Sequence, residues 1–196
     1  MTTEAVKKVS DIIEESAGIH CPVKRTLYVL DEFLKGPMCG KCFPCSMGAF
    51  EARVRLVRLT SAIGVQEDID IIREIARKME VMSMCKKGKD IANFVLENID
   101  KADFKEHTTG LCANKECIDF IEYRNVQANC IRCGKCQDVC KFDAIIGEKQ
   151  VSYKCCFLPF EIRQRRCTKC GECIKVCPTN AIVIVNIENE AEALKA

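Results

Sequence analysis

Cysteine is the residue type whose number and spacing could do chemistry in this chain: seventeen of the 196 residues are cysteines, and nine of them lie in runs in which successive cysteines are separated by only two residues. Such thiols either form disulfides or hold metal. Disulfides do not persist in a reducing cytosol, the N-terminal stretch lacks the apolar core of a secretion signal, and an odd number leaves one thiol unpaired. The spacing therefore predicts metal or iron–sulfur sites.

The strongest pattern is a run of four cysteines, C-x2-C-x2-C-x3-C, that occurs twice at an offset of 37 residues, in NCIRCGKCQDVCKFDAII (129–146) and RCTKCGECIKVCPTNAIV (166–183). This is the ligand spacing of bacterial ferredoxins with two [4Fe–4S] clusters, in which the fourth cysteine of each run binds the other cluster. Zinc ribbons also use four thiolates, but as two CxxC pairs separated by a loop. The two predicted ligand sets are Cys130, Cys133, Cys136 and Cys177, and Cys167, Cys170, Cys173 and Cys140.

A third group of cysteines lies upstream of the repeat. Cys39, Cys42 and Cys45 stand in MCGKCFPC, and the next cysteine along the chain is Cys85. Three thiolates from one loop and a fourth from a distant helix end complete a tetrahedral set of ligands. The spacing by itself leaves an iron–sulfur cluster and a zinc ion open as occupants of this group.

Helices must position these cysteines, because apolar residues recur at helical spacing through the first half of the chain. We predict an amphipathic helix within residues 1–20, and four more that are too amphipathic to be stable alone. These four helices are predicted over 26–35, 46–62, 67–84 and 90–99. In the second of them, Phe50, Val54 and Val57 form the apolar stripe.

The predicted fold class is α+β: a small four-helix bundle that carries the third group of cysteines, with one cluster or metal ion, followed by a ferredoxin-like domain with two [4Fe–4S] clusters. A length of 196 residues is too short for a TIM barrel with its usual loops. The predicted organisation is an N-terminal helix and linker (1–25), the bundle (26–100), a connector (101–124), the ferredoxin domain (125–187) and a tail (188–196).

Charge and hydropathy exclude several classes of protein. The chain has 30 Lys and Arg against 28 Asp and Glu, a formal net charge of +2, which argues against binding of nucleic acid through bulk phosphate attraction. No run of about 18 apolar residues occurs, so membrane insertion is not predicted. Together with the reduced thiols, this predicts a cytoplasmic protein.

The segment CGKCFPCSMG, followed further along the chain by SMCKKGKDIANFVLENI, resembles the C-terminal helical domain of the NADH-binding subunit of respiratory complex I. The same module occurs in β-type subunits of bifurcating hydrogenases and NAD-linked formate dehydrogenases. The resemblance implies that Cys39, Cys42, Cys45 and Cys85 hold one [4Fe–4S] cluster. Ser46 stands where the family has an arginine. In the hydrogenase-type members a two-cluster ferredoxin domain follows, in the order seen here.

The flavin- and NADH-binding portion of that family precedes the helical domain, and only 38 residues precede Cys39 here. No glycine-rich phosphate loop occurs in the sequence. We therefore expect that this chain does not bind FMN or NADH itself, and that any flavin belongs to a partner subunit.

A smaller set, His107, Cys112 and Cys117, lies in the predicted connector, where the hydrogenase-type relatives carry a similar His and Cys pair that holds zinc. A mixed Cys/His set suits zinc better than a low-potential cluster, but three ligands do not complete a tetrahedron. The candidates for a fourth ligand are Cys155, Cys156 and Asp119. The alternative is a pair of ordinary buried thiols with an exposed imidazole. Cys21 is expected to be a buried free thiol.

These observations predict an iron–sulfur electron-transfer subunit of a multi-subunit oxidoreductase in anaerobic metabolism, with three [4Fe–4S] clusters and one zinc ion. It would relay single electrons between a flavin or cluster of a partner subunit and ferredoxin or another subunit. No catalytic site of its own is predicted. Two alternatives stay open: a free-standing soluble polyferredoxin carrier, and a redox sensor that binds nucleic acid and carries iron–sulfur and zinc sites.

Overall fold

The computed structural model describes residues 7–151 and 156–187. The chain divides into two compact units, Met1–Phe120 and Ile121–Ala196. In its described residues the first unit is helical, and the second combines short helices with two small sheets. The mixed helix-and-sheet class predicted from the sequence is therefore confirmed. Within the described ranges, no helix is both long and apolar enough to cross a membrane.

Six α-helices make up the described part of the first unit. Four are long: α2 (Pro22–Lys35), α3 (Phe43–Thr60), α4 (Gln66–Met82) and α5 (Lys86–Ile99). Two are short: α1 (Val9–Glu15) and α6 (Ala102–Thr108). The long helices pack in a ring, in which α3 contacts α2 and α4, and α5 contacts α4 and α2.

Two helices begin four residues before their predicted starts. α2 begins at Pro22, since proline lacks the N–H that a first helical residue leaves unpaired. α5 begins at Lys86 and includes Gly88. A glycine inside a helix is normally unfavourable, but the lack of a side chain at this position lets Ser83 and Cys45 pack against α5.

The core-facing side of α3 differs from the predicted one. Phe50, Val54 and Val57 are partly exposed, with Phe50 at 51%. The buried side of the helix carries small residues and leucines: Cys45, Ala49, Ala52, Leu56 and Leu59. The predicted stripe is wrong because alanines weigh little in a hydrophobic pattern. In the fold, these alanines allow α3 to lie close to its neighbours.

The predicted polar connector contains a helix and a short loop that are part of the first unit. α6 carries Phe104 and His107 into the interior, where both are buried. Cys112, Cys117 and Phe120, which follow α6, are buried as well. This segment is therefore packed into the helical unit.

The second unit, in its described residues, contains four strands and two short helices. β1 (Ile121–Asn125) pairs antiparallel with β4 (Ile182–Asn186), and β2 (Ile145–Ile146) pairs antiparallel with β3 (Glu161–Ile162). α7 (Lys135–Val139) and α8 (Glu172–Val176) pack against each other. The sequence repeat therefore forms two copies of a loop, a short helix and a strand.

The two copies share their unusual backbone geometry. Gly134 and Gly171, directly before α7 and α8, have φ angles of 77° and 80°, which residues with a side chain rarely adopt. Further positive φ angles recur in matched pairs, Arg132 with Lys169 and Asp143 with Asn180. The two cysteine loops are thus wound in the same way.

Candidate metal centres

Four cysteines of the first unit line one cavity: Cys39, Cys42, Cys45 and Cys85. Cys42 and Cys85 stand directly before the first residues of α3 and α5. Cys39 lies in the loop before α3, and Cys45 lies in the first turn of that helix. Cys42 and Cys45 are buried, whereas Cys39 and Cys85 are exposed. The structure brings together the set that the resemblance implies, and we name this cavity the bundle site.

The surroundings of the bundle site favour negative charge. The N-termini of α3 and α5 contribute the partial positive charge of the helix dipole, and Lys41 and Lys87 line the same cavity. Burial, together with the sulfurs of the other three cysteines, raises the pKa of Cys45 to about 12. Four thiolates so close together repel one another unless cations lie between them. The donor set therefore fits an iron–sulfur cluster.

In the second unit, two cavities are each lined by four cysteines. Cavity A contains Cys130, Cys133, Cys136 and Cys177, and cavity B contains Cys167, Cys170, Cys173 and Cys140. These are the two predicted sets, and in each the fourth cysteine comes from the other copy of the repeat. Ala181 and Ile182 line cavity A, while Ala144 and Ile145 line cavity B. A cluster in either cavity would tie the two copies together.

Backbone N–H groups donate to the fourth cysteine of each copy. The N–H of Ala144 donates to Cys140 Sγ at 3.4 Å, and the N–H of Ala181 donates to Cys177 Sγ at 3.2 Å. Burial acts to raise the pKa of Cys177, but the N–H groups of Thr179 and Ala181 outweigh burial and lower this pKa. The lowered pKa of Cys177 favours the thiolate that a cluster ligand must be.

The two copies differ in how their cysteine loops are covered. Lys149 lies over Gly134, where an added Cβ would clash with the lysine side chain, and Lys149 also pairs with Asp138 at 2.9 Å. At Gly171, the nearest atom to an added Cβ is Tyr123 Oη, at 3.7 Å. Lys149, which follows the first copy, therefore covers the loop at Gly134, and no described residue lies equally close to Gly171.

A further group of metal-ligating side chains lies in the first unit and consists of Cys21, His107, Cys112 and Cys117. Their ligand atoms all lie within 4.8 Å of one another, and all four side chains are buried. His107 Nε2 is 3.3 Å from Cys117 Sγ and 3.5 Å from Cys21 Sγ, and these two sulfurs are 3.7 Å apart. A tetrahedral zinc site has edges of about 3.8 Å between sulfurs and about 3.5 Å between sulfur and nitrogen. The group has the dimensions of such a site.

Cys21 is the member of this group that the sequence analysis did not place there. It is buried, as predicted, but it completes the set with His107. Asp119 and Cys156, two candidates for the fourth ligand, are exposed and do not belong to the group, and Cys155 lies outside the described residues. His107 is 1% exposed, which contradicts the alternative of an exposed imidazole.

A sequence signal for Cys21 exists in hindsight. Cys21 directly precedes Pro22, the first residue of α2. Cys42 and Cys85 hold the same position before α3 and α5. Three of the ligand candidates in the first unit therefore stand at a helix start, where the helix dipole favours a thiolate.

The imidazole of His107 is held in the tautomer that metal binding needs. Its Nδ1–H donates to the carbonyl oxygen of Asp103 at 2.6 Å, which leaves Nε2 among the sulfurs. Burial acts to lower the pKa of His107, but hydrogen bonds to Cys112 and Cys21 outweigh burial and raise this pKa to about 10. Hydrogen bonds from Cys117 and Cys21 lower the pKa of Cys112. The sulfurs around Nε2 therefore stabilise a proton there, and they would stabilise a metal cation at the same position in the same way.

Glu116 fastens the Cys21 segment to the loop that carries Cys112 and Cys117. Its carboxylate accepts the N–H of Cys21 at 3.0 Å and the N–H of His20 at 3.1 Å. Burial acts to raise the pKa of Glu116, but these two N–H groups outweigh burial and lower this pKa. The ionised carboxylate therefore positions Cys21 next to the other three ligands.

Two family descriptions match the chain. Residues 25–108 match the NADH-ubiquinone oxidoreductase-F iron–sulfur binding region, and residues 126–146 and 160–183 match the 4Fe–4S binding domain. The first match covers the cysteines of the bundle site, and the second covers those of cavities A and B. The chain therefore carries 4Fe–4S binding modules of these two kinds, and the resemblance seen in the sequence is confirmed.

Curated proteins from several oxidoreductases are similar to part of this chain. The NADP-reducing hydrogenase subunit HndC of Solidesulfovibrio fructosivorans is 28% identical over 133 residues, which are 66% of this chain and 27% of the relative. The NADP(+)-dependent formate dehydrogenase subunit beta of Moorella thermoacetica is 33% identical over 67 residues, 34% of this chain and 10% of the relative. The F-type subunit of the NADH-quinone oxidoreductase of Mycobacterium tuberculosis is 30% identical over 105 residues, 53% of this chain and 23% of the relative. The chain spans about a quarter of these relatives or less.

Proposed function

We propose that this chain, which joins an F-type iron–sulfur binding region to a 4Fe–4S binding domain, is an electron-transfer subunit of a larger oxidoreductase and carries three [4Fe–4S] clusters. The observation that carries the proposal is that three separate cavities are each lined by four cysteines. Four thiolates are the ligands of a [4Fe–4S] cluster, which supplies one-electron chemistry when bound.

The exposure of the cysteines supports exchange of electrons with a partner. The exposed members are Cys39 and Cys85 at the bundle site, Cys133 in cavity A and Cys170 in cavity B. Each cavity thus has an edge that a partner's redox group can approach. Cys45 and Cys173 are buried and keep part of their sites away from water, which helps to set the reduction potential.

The proposal about partners is supported by the names of the relatives, which are subunits of an NADP-reducing hydrogenase, an NADP(+)-dependent formate dehydrogenase and an NADH-quinone oxidoreductase. We propose that the bundle site exchanges electrons with a flavin or cluster of a partner subunit. Cavities A and B then serve exchange with ferredoxin or another subunit. Because the thiolates must stay reduced, we place the protein in the cytoplasm.

We further propose that Cys21, His107, Cys112 and Cys117 bind one zinc ion. All four ligands come from the protein, so the site is closed and structural rather than catalytic. In this role the four residues fasten the start of α2 to the segment after α6. The Asp103 carbonyl orients the imidazole, as outer-shell partners of metal-binding histidines do.

Anaerobic purification of the full chain, with quantification of iron, sulfide and zinc, tests the proposal. We expect about twelve iron atoms and about one zinc ion per chain, with paramagnetic signals from three clusters after reduction by dithionite. Cys45→Ala should lose about four iron atoms and keep zinc, whereas Cys21→Ala should lose zinc and keep iron. A colourless preparation, or an iron content that Cys45→Ala leaves unchanged, would overturn the proposed function.

A further inference from the structure

Ser83 directly follows α4 and lies two residues before Cys85. Its side chain is 4% exposed, and its hydroxyl has no hydrogen-bond partner among the described residues. A buried hydroxyl without a partner is rare in folded proteins, because it has given up its hydrogen bonds to water. The atoms around Ser83 indicate which group can accept a hydrogen bond from this hydroxyl.

Gly88, in the first turn of α5, shows what lies beside the Ser83 hydroxyl. A Cβ added at Gly88 would be 2.7 Å from Ser83 Oγ and 3.0 Å from Cys45 Sγ. Both atoms therefore approach the same point on α5, at a position where glycine leaves the room they need. Ser83 does not line the cavity of the bundle site, whereas Cys45, which approaches the same point at Gly88, does.

Two other side-chain donors near the bundle site already have acceptors. Ser46 Oγ donates to the carbonyl oxygen of Cys42 at 3.1 Å. Lys87 Nζ donates to the carbonyl oxygen of Pro37 at 3.4 Å. Ser83, beside the site and among the described residues, differs from these two donors because its buried hydroxyl has no acceptor.

We propose that Ser83 is a positioning residue for the bundle cluster: its hydroxyl donates a hydrogen bond to the Cys45 thiolate when the cluster is bound, and this bond raises the reduction potential of that cluster. The inference rests on the proposed function, because it requires a cluster at the bundle site.

The direction of the shift follows from the charge on the ligand sulfur. Reduction adds negative charge to the cluster and its thiolates, so a donor to Cys45 stabilises the reduced form more than the oxidised form. Burial strengthens the bond, because the local dielectric constant is low. In the second unit, the backbone N–H groups of Ala144 and Ala181 make the comparable contacts to sulfur. At the bundle site the proposed donor to sulfur is the side chain of Ser83, which a mutation can remove.

Ser83→Ala in the full chain tests the inference in an anaerobic redox titration monitored by paramagnetic resonance. We expect the bundle cluster to require a more negative potential. The ratio of reduced to oxidised cluster at a fixed potential should change about tenfold, equivalent to about 59 mV for one electron. The signals of the second unit should not shift. Ser83→Thr, which keeps the hydroxyl, and Ser46→Ala, which removes a hydroxyl already bonded to a carbonyl, should both leave the potential unchanged.

A measurement on the unchanged protein applies even where Ser83→Ala fails to fold. After exchange into deuterated water, electron–nuclear double resonance should show an exchangeable proton coupled to the bundle cluster, and Ser83→Ala should lack it. Absence of this proton from the unchanged protein, or an unshifted potential in Ser83→Ala with full iron content, overturns the role of Ser83. An unchanged protein without the bundle cluster contradicts the proposed function itself, so iron content separates the two failures.

Discussion

The bundle site and the two cavities of the second unit each present four cysteines, yet they are assembled in different ways. In the second unit, three cysteines of each set come from one loop, which positive φ angles at Gly134 and Gly171 wind into shape. At the bundle site, Cys85 comes from the start of α5 and meets a loop that precedes α3. Local loop geometry therefore forms the cavities of the second unit, whereas the packing of helices forms the bundle site.

The two regions also differ in what faces the ligand sulfurs. Backbone N–H groups reach Cys140 and Cys177 at 3.4 and 3.2 Å, and these donors are present whatever side chain the residue carries. At the bundle site, the Ser83 hydroxyl and the space at Gly88 are properties of individual side chains. Single substitutions should therefore act more selectively at the bundle site than in the second unit.

The largest effect is expected from Cys177→Ala, because Cys177 comes from one copy of the repeat and lines the cavity of the other. Without this tie, we expect the second unit to lose more than about four iron atoms. The matched variant Cys85→Ala should lose only about four, since the bundle site stands alone. Iron analysis and paramagnetic resonance compare the two. Equal losses in both variants would show that the crossed ligands do not couple the two copies.

A smaller effect is expected from Gly88→Ala. Glycine to alanine in a helix normally stabilises by up to about 1 kcal/mol, but here the added Cβ would meet Ser83 Oγ at 2.7 Å and Cys45 Sγ at 3.0 Å. We expect a loss of about 1–3 kcal/mol from this overpacking, measured by denaturant unfolding. Gly18→Ala is the control, since an added Cβ there meets nothing within 4 Å. If Gly88→Ala were as stable as this control, Ser83 and Cys45 would have to be able to shift and make room for the added methyl group.

Glu116→Gln extends the comparison to the proposed zinc site of Cys21, His107, Cys112 and Cys117, in which Cys21 stands directly before the first residue of α2. We expect zinc affinity to fall about tenfold, because the carboxylate that positions Cys21 is lost. The pKa of Glu116 is lowered in the folded chain, so its contribution is complete above its unfolded pKa of about 4.3 and disappears as the pH falls through the folded value. Competition with a zinc chelator at several pH values measures the zinc affinity and its dependence on pH. Glu97→Gln, at an exposed position on α5, should retain zinc normally, and equal losses in both variants would exclude this role of Glu116.

The smallest effect is expected from Lys149→Ala, which tests the difference between the two copies. Lys149 covers the loop at Gly134 and forms an exposed ion pair with Asp138, an interaction worth at most about 1 kcal/mol. We expect iron to leave cavity A about twofold faster in the presence of a chelator. Lys175→Ala, which breaks a comparable exposed pair with Glu172, should change nothing. A faster loss from both cavities in the control would show that ion pairs in general, and not the cover over Gly134, retain iron.

Several features of the fold could not be predicted from local patterns. The buried side of α3 depends on Ala49 and Ala52, whose small size matters only once a neighbouring helix lies against them. α6 escaped prediction because its seven residues are mostly polar, and it is held by the burial of Phe104 and His107. Both cases show tertiary packing overriding a weak local signal.

By itself, the sequence determined which cysteines belong to the two repeated sets, because ligands on one loop must follow a fixed spacing to reach one small group. For the bundle set, the spacing left the occupant open, and the resemblance supplied it. Only the tertiary structure decided that Cys21 lies beside His107, 86 residues further along the chain, and that Ser83 and Cys45 meet at Gly88. Such meetings depend on how whole helices pack against one another, and no local pattern contains that information.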